Sequence, residues 1–194
     1  MGLRDPLGVS DEQSERGPVA VPRAVSGSPS TLLLLDDDER ICSEGADHRV
    51  VQWRNVMFTH WFAPVSVGGL AACETASFDL ASRNPAGIVV FNVIEFGLQI
   101  PDAAARKKAS AVLASTSAHV QVTTTVVPGE GFWASAARAA VATITLLSRA
   151  GHPHRVFSST DDGAGFVLPF VAPEHTPLHH IQHALGRLSH RQEA

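Results

Sequence analysis

Three features of the chain predict a single α/β domain built on one small mixed sheet, with helices packed mainly on one side. First, a β-branched run, 120–126, breaks at Pro128-Gly129-Glu130-Gly131 and passes into an alanine-rich helix opened by Phe132 and Trp133. Second, strand and helix patterns alternate from His48 onward, which implies a largely parallel sheet. Third, 194 residues suffice for one well-buried domain and are too few for two comfortable ones.

Residues 1–47 stand apart from the rest of the chain. They hold four basic and ten acidic residues, no aromatic, and much Gly, Pro and Ser. Such a segment buries too little apolar surface to offset chain entropy, so it is expected to be a disordered acidic tail, with the domain at 48–194. From His48, residues 49–53 and 56–62 form a predicted hairpin, with Asn55 as the turn residue that tolerates left-handed geometry. Residues 67–83 form a helix whose Leu70, Cys73, Ala76, Ser77 and Leu80 share one face, and Asn84-Pro85-Ala86-Gly87 stops it. The run 88–96 is apolar on both faces, as a strand covered twice would be. A helix then runs from Pro101-Asp102 to about Ser115, with Lys107 and Lys108 on its wet face.

In the next strand Val120, Val122, Thr124 and Val126 alternate with Gln121, Thr123 and Thr125, giving one apolar and one more polar face. The helix at about 132–149 is expected to turn a stripe of Trp133, Ala136, Ala137, Ala140, Ile144 and Leu147 to the sheet. Residues 155–158 make a short strand and 160–163 a turn. A last helix, 176–189, has Thr176 as N-cap and Pro177 in its first turn. The order is β-β-α-β-α-β-α-β and a terminal helix.

A net charge of −4 provides no electrostatic footprint for nucleic acid. No window reaches the roughly 18 apolar residues of a membrane span, and 31–35 lacks the build of a secretory signal. A cytoplasmic location is expected. Cys42 and Cys73 make neither a disulfide framework nor a metal knuckle, and Cys73 reads as a small buried hydrophobe.

At Gly129-Glu130-Gly131-Phe132-Trp133-Ala134-Ser135-Ala136-Ala137-Arg138, and again at Trp53-Arg54-Asn55-Val56, the chain resembles an uncharacterised bacterial family of small proteins. That family is similar to STAS domains, the fold of anti-sigma-factor antagonists. The resemblance covers about residues 48–170. It implies a small mixed sheet in a signalling module that acts by binding a protein partner rather than by catalysis. In phosphorylation-switched STAS domains an Asp-Ser loop comes after the central strand. Here the matching stretch, 96–102, has no Ser or Thr, so the phosphoswitch does not carry over.

Glu95 ends a strand and Glu130 comes just after the next one, where open α/β sheets place ligands. Two such carboxylates would serve as an acid/base pair or hold a cation. The preferred reading leaves them in water at the rim, or pairs Glu130 with Arg138. The glycines of Gly129-Glu130-Gly131 are read as meeting a turn that needs positive φ, because the spacing matches no nucleotide fingerprint. His179 and His183, four apart, share a helix face. Two imidazoles fall short of a zinc site, and neither His175, His180 nor His190 is placed to complete one, so no metal and no cofactor is expected. His152-Pro153-His154 is read as a loop. No Ser-His-Asp set is visible, Ser135 having no nucleophile-elbow context.

Three functions remain open. The leading one is a non-enzymatic STAS-like module binding a protein partner. The others are a binder of a small apolar ligand in a pocket between the sheet and the Phe132–Trp133 helix start, and an enzyme using Glu95 and Glu130. Glu95, Glu130, Phe132, Trp133 and Arg138 are the candidate ligand-binding residues.

Overall fold

A computed structural model describes residues 39–95, 97, 99–172 and 178–189, with side chains as far as Gly186. It is an α/β domain on one six-stranded mixed sheet. The strands are β1 (Glu39–Glu44), β2 (His48–Trp53), β3 (Val56–Trp61), β4 (Ile88–Ile94), β5 (Val120–Val126) and β6 (His154–Phe157), and they lie side by side in chain order. β1, β2 and β3 pair antiparallel, while β3 through β6 are parallel. The helices are α1 (Val67–Arg83), α2 (Ala103–Thr116), α3 (Gly131–Ser148), α4 (Thr160–Val167) and α5 (Leu178–Ser189).

The spatial order explains the layering. Each parallel crossover moves one strand further in the same direction, and right-handed crossovers that do so all return over the same face. Thus α1, α2 and α3 form one layer, and the shorter α4 and α5 cover the other face. Both faces of β4 are consequently covered, fully over Ile88–Phe91 and in part over Asn92–Ile94, as a run apolar on both faces apart from Asn92 requires. Val50, Met57, Ile88 and Val90 pack against Leu70, Cys73 and Leu80 on the α1–α2 side. Trp53, Phe58, Phe91 and Val122 pack against Val167, Ile181 and Leu185 on the other.

The structure corrects several expectations. β1 lies inside the stretch read as tail, so the ordered domain begins before residue 48. Its residues alternate too weakly to signal a strand, and it is held by pairing with β2 and by Arg40 reaching Asp79 of α1. Residues 1–38 lie outside the described residues, as do Phe96, Thr176 and Pro177. In the β2–β3 turn the left-handed residue is Arg54 (φ 54°), not Asn55. Asn55 is buried, accepts from the Ala172 amide and donates to the Phe170 carbonyl, which ties the chain after α4 to the hairpin.

Residues 160–163 do not form a turn but open α4. Ser159 caps it by accepting from the Asp162 amide at 3.1 Å, and Asp161 and Asp162 favour its positive end. Gly163 lets α4 lie on the sheet, because a Cβ there would stand 3.0 Å from Val126 and 3.1 Å from Phe91.

Candidate functional site

Helix α3 presents two unlike faces, and the candidate sites lie on either side of it. Gly129 (φ 89°) and Gly131 (φ 85°) take the positive φ expected of them. Arg138 holds this entry by donating to the carbonyls of Val127 (3.0 Å) and Gly129 (3.2 Å) rather than by pairing with Glu130. The buried stripe is Ala134, Ala137, Ile144 and Ser148, with Val141 half-buried between them. It is rotated by about 70° from the expected one at 100° per residue. Trp133 is therefore only half-buried and Leu147 is 70% exposed. The helix is apolar nearly all round, so its own pattern could not set the register.

That rotation creates the outer face. Phe132, Ala139, Thr143 and Leu146 recur seven, four and three residues apart, which puts them on one side of the helix. Phe132 is 91% exposed and Leu146 is 78% exposed. No charged side chain interrupts them. Alongside, a surface groove of about 580 Å³ runs between α2 and α3, with Ala111, Ala114 and Leu147 in it and Arg106 and Lys107 among its walls.

The carboxylates have separate surroundings. Glu95 lies just past the end of β4, half-exposed, 3.1 Å from His60 Nε2. Glu130 is exposed and stands at the N-cap of α3 without a side-chain capping bond. Neither they nor Phe132, Trp133 and Arg138 line the recess inside the domain.

That recess, of about 120 Å³, lies between the sheet and α1–α3. Met57, Leu70, Val90, Val112 and Ile144 make it apolar, and Asn92, Thr125 and His154 add a polar row across β4, β5 and β6. The strand β6 starts at His154, one residue earlier than expected, and this carries the imidazole from the supposed loop onto the inner face. Local pattern could not show it, because a four-residue edge strand has almost no period.

The hydrogen bonds of this row have a direction. Thr145 Oγ donates to the Val141 carbonyl (3.0 Å), so it accepts from His154 Nδ1 (2.7 Å). Nε2 is then the acceptor for Thr125 Oγ (3.0 Å). Asn92 Nδ2 reaches Thr125 Oγ and the Thr124 carbonyl at 3.5 Å, the limit of a hydrogen bond. Burial, helped by the nearby His152, pushes the His154 pKa down to about 4, so the ring is neutral at pH 7. His152 is lowered too, again by burial, and bonds Thr123 Oγ at 2.9 Å.

A Ser-His-Asp set that no sequence spacing reveals also appears. Ser43 Oγ is 3.0 Å from His48 Nε2, and His48 Nδ1 is 2.7 Å from Asp47 Oδ1. Its bonds join three chain segments. Asp47 Oδ2 accepts from the Ser66 amide at the α1 cap, and the Asp47 carbonyl accepts from Phe62 and Ala63. The buried ring rests 5.5 Å from Trp61, and Gly69 makes room for it, since a Cβ there would lie 2.8 Å from Nδ1. Burial raises the Asp47 carboxyl, but the bonds from His48 and Ser66 outweigh it and hold the group below its usual range. The set acts as a clamp between β1, β2 and α1.

Cys73 is buried, its thiol pushed up to about 12 by burial, which makes it inert. His179 and His183 are exposed on α5, and the rings of His179 and His180 meet edge-on at 4.5 Å. His175 and His190 lie outside the described residues. Among the described residues no three His, Cys, Asp or Glu side chains converge on a metal position, and no helix is long and apolar enough to cross a membrane. No protein-family model and no curated protein matches the chain.

Proposed function

We propose that the protein is a non-enzymatic, STAS-like regulatory module of the cytoplasm that binds a protein partner through α3. The observation that carries this reading is the uncharged outer face of that helix, with Phe132, Leu146 and Leu147 all at least 70% exposed. Large apolar side chains aligned on one helix face mark interaction surfaces. The adjoining groove selects the kind of partner. Its small Ala111 and Ala114 admit close approach, and Arg106 and Lys107 stand beside it. An amphipathic helix with an acidic edge fits both features.

The test is affinity capture from native cells with quantitative mass spectrometry, comparing the wild type with Leu146→Glu/Leu147→Glu. Both side chains are solvent-facing, so the variant keeps its circular dichroism and Tm. At least one protein captured by the wild type is expected to be lost with the variant. Identical captured sets at unchanged fold would remove this reading.

A further inference from the structure

We propose that the recess between the sheet and α1–α3 is a binding site for a small uncharged ring compound bearing one hydroxyl or carbonyl group, held by Asn92. This site is separate from the α3 outer face and does not rest on it.

Size sets the first limit. About 120 Å³ is close to the roughly 150 Å³ of an engineered apolar cavity that accepts benzene, so one six-membered ring with a small substituent fits. The lining sets the second. Met57, Leu70, Val90, Val112 and Ile144 offer hydrocarbon, and no Asp, Glu, Lys or Arg is among the lining residues. A carboxylate, phosphate or ammonium ligand would be desolvated here without a counter-charge, at prohibitive cost. His154 does not provide one, since both ring nitrogens are engaged by Thr125 and Thr145.

Asn92 sets the third limit. The directed chain from Thr125 through His154 to Thr145 and Val141 is made of bonds of 2.7–3.0 Å. Asn92 is its slack end, half-buried, with both of its donor contacts at 3.5 Å. A ligand oxygen at normal distance would bond this carboxamide at little loss to the protein. Because an amide both donates and accepts, a hydroxyl or a carbonyl is accommodated.

Phenol is the probe, with benzene and benzoate as comparators, added to the full chain at pH 7 and monitored by heteronuclear NMR. Phenol is expected to shift the side-chain amide of Asn92 and the signals of Thr125 and His154, saturably. It should bind about tenfold more tightly than benzene, the worth of one good hydrogen bond, and benzoate should leave these signals in place. Asn92→Leu should abolish the preference for phenol over benzene while benzene still binds. Ala109→Leu, which fills the recess, should abolish both. Absence of saturable shifts in the wild type overturns the proposal without any variant. So does benzoate binding as tightly as phenol, or undiminished phenol binding in a folded Ala109→Leu protein.

Discussion

The neutral imidazole of His154 makes stability fall as the solution is acidified toward pH 5. Its pKa is about 4 in the fold and about 6.5 in an unfolded chain. Between those values the unfolded state binds a proton that the folded state does not. The contribution is therefore fully present above 6.5 and is lost as pH falls, by up to about 1.4 kcal/mol per pH unit. Integrated from pH 7 to pH 5, this comes to about 1.5–2 kcal/mol. Asp47, Glu74 and Asp79 have lowered pKa values from hydrogen bonds and charge partners, so their stabilisation is lost mainly below about pH 4.5, outside this window. Urea unfolding at pH 7, 6 and 5 measures the loss in the wild type and in His154→Gln. His152, also lowered by burial, acts in the same direction and remains in both proteins. The part of the slope that disappears in the variant thus belongs to His154. A variant that loses as much stability as the wild type on going to pH 5 would refute the burial and bonding assigned to this ring.

The packing gives three further expected outcomes. Ile144→Ala should cost about 2–4 kcal/mol in urea unfolding, because the side chain is 8% exposed, whereas Leu147→Ala should cost under about 0.5 kcal/mol. Comparable costs at the two positions would restore the helix register expected from sequence, which buries both. Asp47→Ala should cost about 2–3 kcal/mol, since it strips the Ser66 amide and the buried His48 of their partner. A protein beginning at His48 should be markedly less stable than one beginning at Asp38, because only the latter retains β1 and its pairing with β2. Equal Tm values would show β1 to be dispensable.

Strong local signals in the sequence survive in the structure almost unchanged. The helix at 67–83 is legible to the residue because Leu70, Cys73, Ser77 and Leu80 recur at helical spacing between polar positions and Asn84-Pro85-Ala86-Gly87 ends it. The two-sided apolar run of β4 announces a strand covered on both faces. Weak signals fail for physical reasons. In α3, alanine and leucine surround the helix, so packing chooses the face. The strand β1 is half-exposed and stabilised by its neighbour rather than by its own pattern. The site is the least legible part. His154, Thr125 and Asn92 come from three different strands and meet only through the parallel register of β4, β5 and β6. Ser43, Asp47 and His48 are close in sequence, but the turn between β1 and β2 is what brings the serine back to the imidazole.

The claim that α3 carries the partner surface is tested most directly by site-specific photo-crosslinking in native cells. A photoreactive phenylalanine analogue is placed at Thr143 or Leu147 on the outer side of α3, and at exposed Ser82 on α1 as the reference. The account predicts a discrete crosslinked adduct to the same partner from 143 and 147, and none from 82. Adducts only from 82, or equal nonspecific smears from all three positions, would contradict it.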